Sequence, residues 1–161
     1  MSVLRTTLHV LNIVLFAMFA TLASAQAPSY GPSITLDGAK KVAAAAVAEA
    51  KKNNWNVAIA IVDTGGFLVY YERIDDTQSA SPLIAIEKAR TSAMFRRPTK
   101  VFTDAVAKGG GGVALMGLPG VTPNTGGVPI YSGGKIVGGI GVSGVTGDQD
   151  EQIAKAGAGA L

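Results

Sequence analysis

The sequence predicts an α/β (α+β) fold in which a mostly antiparallel, five-stranded sheet is flanked by helices. Three observations predict it. Helical and strand periodicities follow one another as helix, hairpin, two helices, three strands and a final helix. That order lacks the strand–helix alternation of a doubly wound parallel sheet. The apolar runs are short and rich in β-branched residues, and from Gly109 onward glycine pairs punctuate them at the spacing tight turns need.

Gln26 to Ser33 holds two prolines and a glycine and reads as a leader onto a domain spanning 35–161. Thr35 is placed to cap a helix from Leu36 to about Asn53, where Val42, Ala43, Ala46, Val47 and Ala50 recur at helical spacing. In Val57 to Val62, large residues alternate with Ala58 and Ala60, so both faces are expected to be buried and one is thin enough for a helix to lie close. Asp63-Thr64-Gly65-Gly66 is a turn into a second strand, Phe67 to Arg73. Pro82 suits the first residue of a helix reaching Phe95, stopped by Arg96-Arg97-Pro98-Thr99. A short helix from Thr103 to Lys108 follows. Val113–Met116, Val128–Tyr131 and Lys135–Ser143 are the remaining strands, the last two joined through Gly133-Gly134. Thr146 opens a terminal helix whose first turn carries Asp148, Asp150 and Glu151, as the helix dipole favours.

Residues 1–25 predict export. Arg5 precedes an apolar run, Val10 to Leu22, too short to span a bilayer comfortably. Ala23-Ser24-Ala25 then supplies a small-x-small cleavage site. The expected location is periplasmic or secreted, with no membrane span after cleavage. The chain has no cysteine, and its single histidine is His9 within that leader. The mature chain thus lacks the commonest general base, the usual partner of a catalytic serine, and the usual ligands of zinc. A formal charge of +3 for the whole chain, scattered along it, gives no footprint for nucleic acid.

Lys88-Ala89-Arg90-Thr91, Arg97-Pro98-Thr99, Gly126-Gly127-Val128-Pro129-Ile130, Gly138 to Gly144, and Asp150-Glu151 with Ala156-Gly157 together resemble the GlcG/HbpS-like haem-binding family. The Asp63 to Gly66 turn matches as well, so the resemblance runs through nearly all of the mature chain. It implies a profilin-like or PAS-like fold, assembly into homo-oligomers, and haem or another small molecule as ligand; some members are credited with degrading haem. Without histidine, iron would take Tyr70, Tyr71 or Met94, with Tyr131, Met116 or a lysine as further candidates, or the porphyrin would be held without a strong axial bond.

Gly139 to Gly144 spells G-x-G-x-x-G, but inside a strand and with no βαβ unit to follow, so no nucleotide site is expected. The better reading is spatial: Val137, Gly139, Gly141 and Ser143 share a strand face whose bare backbone admits either a helix of the same chain or a flat ligand. Ser143 has no histidine to activate it and is read as a hydroxyl donor to a ligand carboxylate. Lys88, Arg96, Arg97 and Thr99, near the end of the second helix, suit carboxylates such as propionates, or are simply solvated charges. The candidate ligand-binding set is therefore Lys88, Arg97, Thr99, Gly126, Gly127, Gly139, Gly141 and Ser143, with no catalytic pair. Asp148 to Glu151 lacks the other ligands of a calcium loop, and Gly109 to Gly112 reads as a flexible loop or a backbone anion cradle. Three functions follow: an exported binding protein, a slow haem- or organic-acid-transforming enzyme, and an oligomeric structural or signalling module.

Overall fold

The computed structural model describes residues 27–161; the expected leader over 1–25 lies outside the described residues. Helix α1, Leu36–Lys52, is capped by Thr35, whose hydroxyl accepts from Gly38 N at 3.1 Å. Its buried residues Ala39, Val42, Ala43, Ala46, Val47 and Ala50 form the expected stripe. Strands β1 (Ala58–Val62) and β2 (Leu68–Arg73) form the expected hairpin. Asp63 Oδ1 ties its turn by accepting from Gly65 N at 2.8 Å and Phe67 N at 2.9 Å. Helix α2, Ser81–Phe95, carries Pro82 in its first turn and stops at Arg96, whose φ of 56° ends the helical course.

Helix α3, Lys100–Ala107, begins three residues before the expected start. The expected strand Val113–Met116 does not form. Gly110–Gly117 winds as a 3₁₀ helix, and none of its residues is buried. Glycine on both sides weakens extended pairing there. The sheet therefore has four strands rather than five, in the order β2-β1-β4-β3, all antiparallel. Strands β3 (Gly127–Ser132) and β4 (Lys135–Ser143) are joined through Gly133 and Gly134, at φ 55° and 75°, the mirror-image turn that matches strand twist. Helix α4, Gly147–Ala158, opens with a reciprocal capping box between Thr146 and Gln149.

Three layers result. On one face α1 and α4 cover Val57, Ile59, Ile61, Ile140 and Val142. On the other, α2 lies against Ala58, Ala60 and Val62 through Ala85, Ala89 and Ala93. The alternation of large and small residues in β1 encodes this difference.

Where β1 ends, the segment before α1 continues the sheet. Gly31 N donates to Ile136 O at 2.8 Å, Ile136 N to Ser29 O at 3.0 Å, and Ile34 N to Val137 O at 2.7 Å. The Tyr30 hydroxyl reaches the last carbonyls of α2, Ala93 O at 3.0 Å and Met94 O at 2.8 Å. The Arg96 guanidinium lies 5.5 Å from its ring centroid. The segment from Ser29 to Ile34 is thus a strap along the sheet and the end of α2. Tyr30→Phe is expected to cost about 1 kcal/mol, the net worth of a hydrogen bond that ties strap to helix; urea denaturation checks it.

Candidate functional site

The bare strand face is filled from within. A Cβ placed on Gly139 would stand 2.6 Å from both Ala89 O and Ser92 Oγ, and one on Gly141 would collide with Ala85 O and Ala89 N. Helix α2 therefore rests its backbone where a flat ligand would have lain. Ser143 is buried on the same face, its Oγ 3.3 Å from Ser81 Oγ. Val137 does not share that face. Tyr131 pairs with Ile136 and Ile130 with Gly138, so Val137 is the extra residue of a bulge. The bulge turns it into the α1 side of the core beside Ile34.

Lys88, Thr99, Gly126 and Gly127 do come together, in a sealed polar knot. Lys88 Nζ donates to Asp150 Oδ2 at 2.8 Å and to Val142 O at 2.9 Å. Both side chains are almost wholly buried, at 2% and 3% exposure. Asp150 Oδ1 accepts from Val145 N at 3.2 Å. Thr99 Oγ1 accepts from Gly127 N at 2.9 Å, and Thr99 N donates to Gly127 O at 2.9 Å. Gly126, at φ 123°, leaves room for the ion pair, since a Cβ there would stand 2.9 Å from Lys88 Nζ. Burial lowers the Lys88 ammonium and raises the Asp150 carboxyl from their ordinary ranges, and each partner's charge opposes the shift in the other. Asp150 is thus more than a dipole-complementing surface acid. The signal in the sequence was slight: one acid among three at a helix start.

The remaining candidates scatter. Arg97 is exposed, with Nε donating to Phe95 O at 3.1 Å, while Arg96 turns toward Tyr30. Tyr70 packs against the α1 side, its hydroxyl donating to Glu72 Oε2 at 3.2 Å, and the negative charge of Glu72 raises its pKa. Tyr71 faces α2 beside Ile86. Met94 and Met116 are exposed.

Tyr131 alone of these candidates lines a described cavity, an open groove of ≈ 460 Å³ at the β3 edge. Pro98, Val128, Pro129 and Leu161 give it apolar walls, and Lys155 stands at its side. Pro129 has no N–H to offer, which keeps another strand from pairing with β3 at that point. The Lys155 ammonium is exposed and 3.1 Å from Glu151 Oε2. A smaller hollow of ≈ 240 Å³, lined by Pro32, Ile34, Ser132 and Val137, also touches Leu161.

The family model described as "Haem degrading protein HbpS-like" matches residues 34–159. The chain belongs to the HbpS-like family. Protein GlcG of Escherichia coli K12 is 46% identical over 105 residues, covering 65% of this chain and 77% of GlcG. Among solved HbpS-like structures, a Streptomyces reticuli HbpS double mutant superposes with a TM-score of 0.75 at 34% identity, over 88% of this chain and 95% of that one. A PduOC–haem complex superposes with a TM-score of 0.72 at 27% identity, over 80% and 95%. The expected family and the expected antiparallel sheet with flanking helices are both borne out.

Haem is named in the family description and in the PduOC complex, and the residues lining the groove are of kinds that fit that group. The groove walls are apolar, as a porphyrin face requires, Tyr131 carries a phenol oxygen of a kind that ligates haem iron, and Lys155 brings a cation to the lining. The buried Lys88–Asp150 knot offers no such access.

Proposed function

We propose that this HbpS-like chain is an exported, homo-oligomeric protein that holds haem in the β3-edge groove, with Tyr131 toward the iron and Lys155 toward a propionate. One observation carries the reading: a phenol and an ammonium flank an apolar groove in a fold shared with a haem complex. The leader sequence of residues 1–25 supports export. Bound haem would supply its own redox and ligand-binding chemistry; the chain's part is to enclose one ring face, donate an oxygen and neutralise a carboxylate. Holding is favoured over breaking because the knot's acid and base are sealed from solvent, and none of the groove residues named here forms an acid–base pair that could cycle protons.

Haemin titration of the purified protein is expected to shift the Soret band away from that of free haemin, saturating near equimolar protein. Tyr131→Phe is expected to weaken binding by about tenfold or more, the loss of one strong directed interaction worth about 1.4 kcal/mol or more. A spectrum unchanged from free haemin would sink the reading. Under reductant or peroxide, Soret loss should match that of a boiled control; faster loss with the native protein would move the assignment to haem degradation.

A further inference from the structure

The outer face of α2 carries a stripe that stays exposed among the described residues. Leu83 is 72% exposed and Met94 46%. Between them, the side chains of Glu87 and Arg90 are 44% and 42% exposed and pair at 3.0 Å. At 3.6 residues per turn the four positions fall within an arc of about 60°, and at 1.5 Å per residue they stand at about 0, 6, 10.5 and 16.5 Å along the axis. The stripe therefore reads apolar, acid, base, apolar, with equal spacing either side of its middle. Such a surface is its own complement when a second copy is turned through 180°. Leu83 then faces Met94, and Glu87 faces Arg90, in both directions at once.

The Met94 end is broadened to receive a knob. A Cβ on Gly66 would touch Met94 Sδ at 3.0 Å, and Arg90 Nε donates to Gly66 O at 2.9 Å, so the turn carrying the exposed Phe67 lies against the stripe. The chain past exposed Leu118 also comes close to it, since a Cβ on Gly120 would stand 4.0 Å from Met94 Cε.

We propose that α2 pairs antiparallel with α2 of a second copy of this chain, Leu83 of each seating beside Met94 of the other and Glu87 bonding Arg90 across the two-fold axis. This deepens the assembly part of the function proposed above and is independent of haem.

Light scattering after size exclusion tests it at micromolar concentration. The unaltered protein should run at an even multiple of the chain mass. Glu87→Arg and Arg90→Glu, each of which sets like charges face to face, should each lower the mass by at least half. An equimolar mixture of those two variants should recover it, because acid again meets base, and the double variant E87R/R90E should keep it. Leu83→Lys, which touches no internal contact described above, should also lower it, and circular dichroism confirms that each variant is folded. A monomeric unaltered protein would defeat both the assembly and this surface. An assembly that survives the single reversals, or a mixture that fails to recover the mass, would defeat this surface alone. Haemin titration is read separately, so failure of the haem assignment leaves these masses unchanged.

Discussion

Asp150→Asn and Lys88→Met are each expected to lower the free energy of unfolding by about 3–5 kcal/mol, whereas the double variant is expected to recover about 2–3 kcal/mol of the summed loss. The asymmetry follows from where the charges sit. Both side chains are almost fully buried, 2.8 Å apart, and reached by no described groove. Removing one leaves the other as an uncompensated charge in a low-dielectric interior; removing both leaves neutral groups, and the amide at position 150 retains an acceptor for Val145 N. For a domain whose total stability is of order 5–15 kcal/mol, either single change is severe. The pH dependence has a definite sign. Burial already raises the Asp150 carboxyl, and Lys88 opposes that rise; in Lys88→Met the opposition is gone and the folded pKa climbs further. A folded pKa above the unfolded one means stability that is complete below the ordinary carboxylate range and lost as pH rises through the folded value. The Lys88→Met deficit should therefore shrink as pH falls from neutral toward about 4. Urea midpoints at the two pH values read it, and a pH-independent deficit would show that the carboxylate is not the group left exposed to the cost.

How far the sequence carried varies with the range of the interaction. Local signals held well: Thr35 and Thr146 cap where they were expected to, Pro82 lies one residue inside the start of α2, and Gly133-Gly134 turns the final hairpin. These depend on neighbours within a few residues, so composition and spacing suffice. The two faces of β1 were legible too, because Ala58 and Ala60 leave space only a closely packed helix can occupy. Val113–Met116 failed because β propensity alone does not make a strand, and flanking glycines let the segment wind instead. Val137 failed because one bulge residue reverses a face, and a bulge between strands leaves no mark on either alone. The site was least legible. Lys88 and Asp150 are 62 residues apart in the chain, and no periodicity links them. Tyr131 was only one phenol among several until Pro98 and α4 built walls around it.

Gly141→Val is expected to cost more than about 3 kcal/mol and to lower the melting temperature by roughly 10 °C or more, at or beyond the upper end for overpacking a core. Ordinary overpacking is relieved when a side chain moves aside. Here the new Cβ meets Ala85 O and Ala89 N, which are backbone atoms of α2. Relief therefore requires the whole helix to rise from the sheet, and its contacts with Ala58, Ala60 and Val62 open together. Gly139→Ala should follow in the same direction, since its Cβ meets Ala89 O and Ser92 Oγ at 2.6 Å. Gly111→Ala supplies the contrast. No atom stands within 4 Å of a Cβ there, so the change should be neutral or stabilising by up to about 1 kcal/mol through the unfolded chain. Haemin affinity separates a packing role from a binding role. If the glycine face serves only α2, Gly139→Ala loses stability while the folded fraction binds haemin as the unaltered protein does. Lost binding at unchanged stability would instead return the ligand to the strand face and take it from the β3-edge groove.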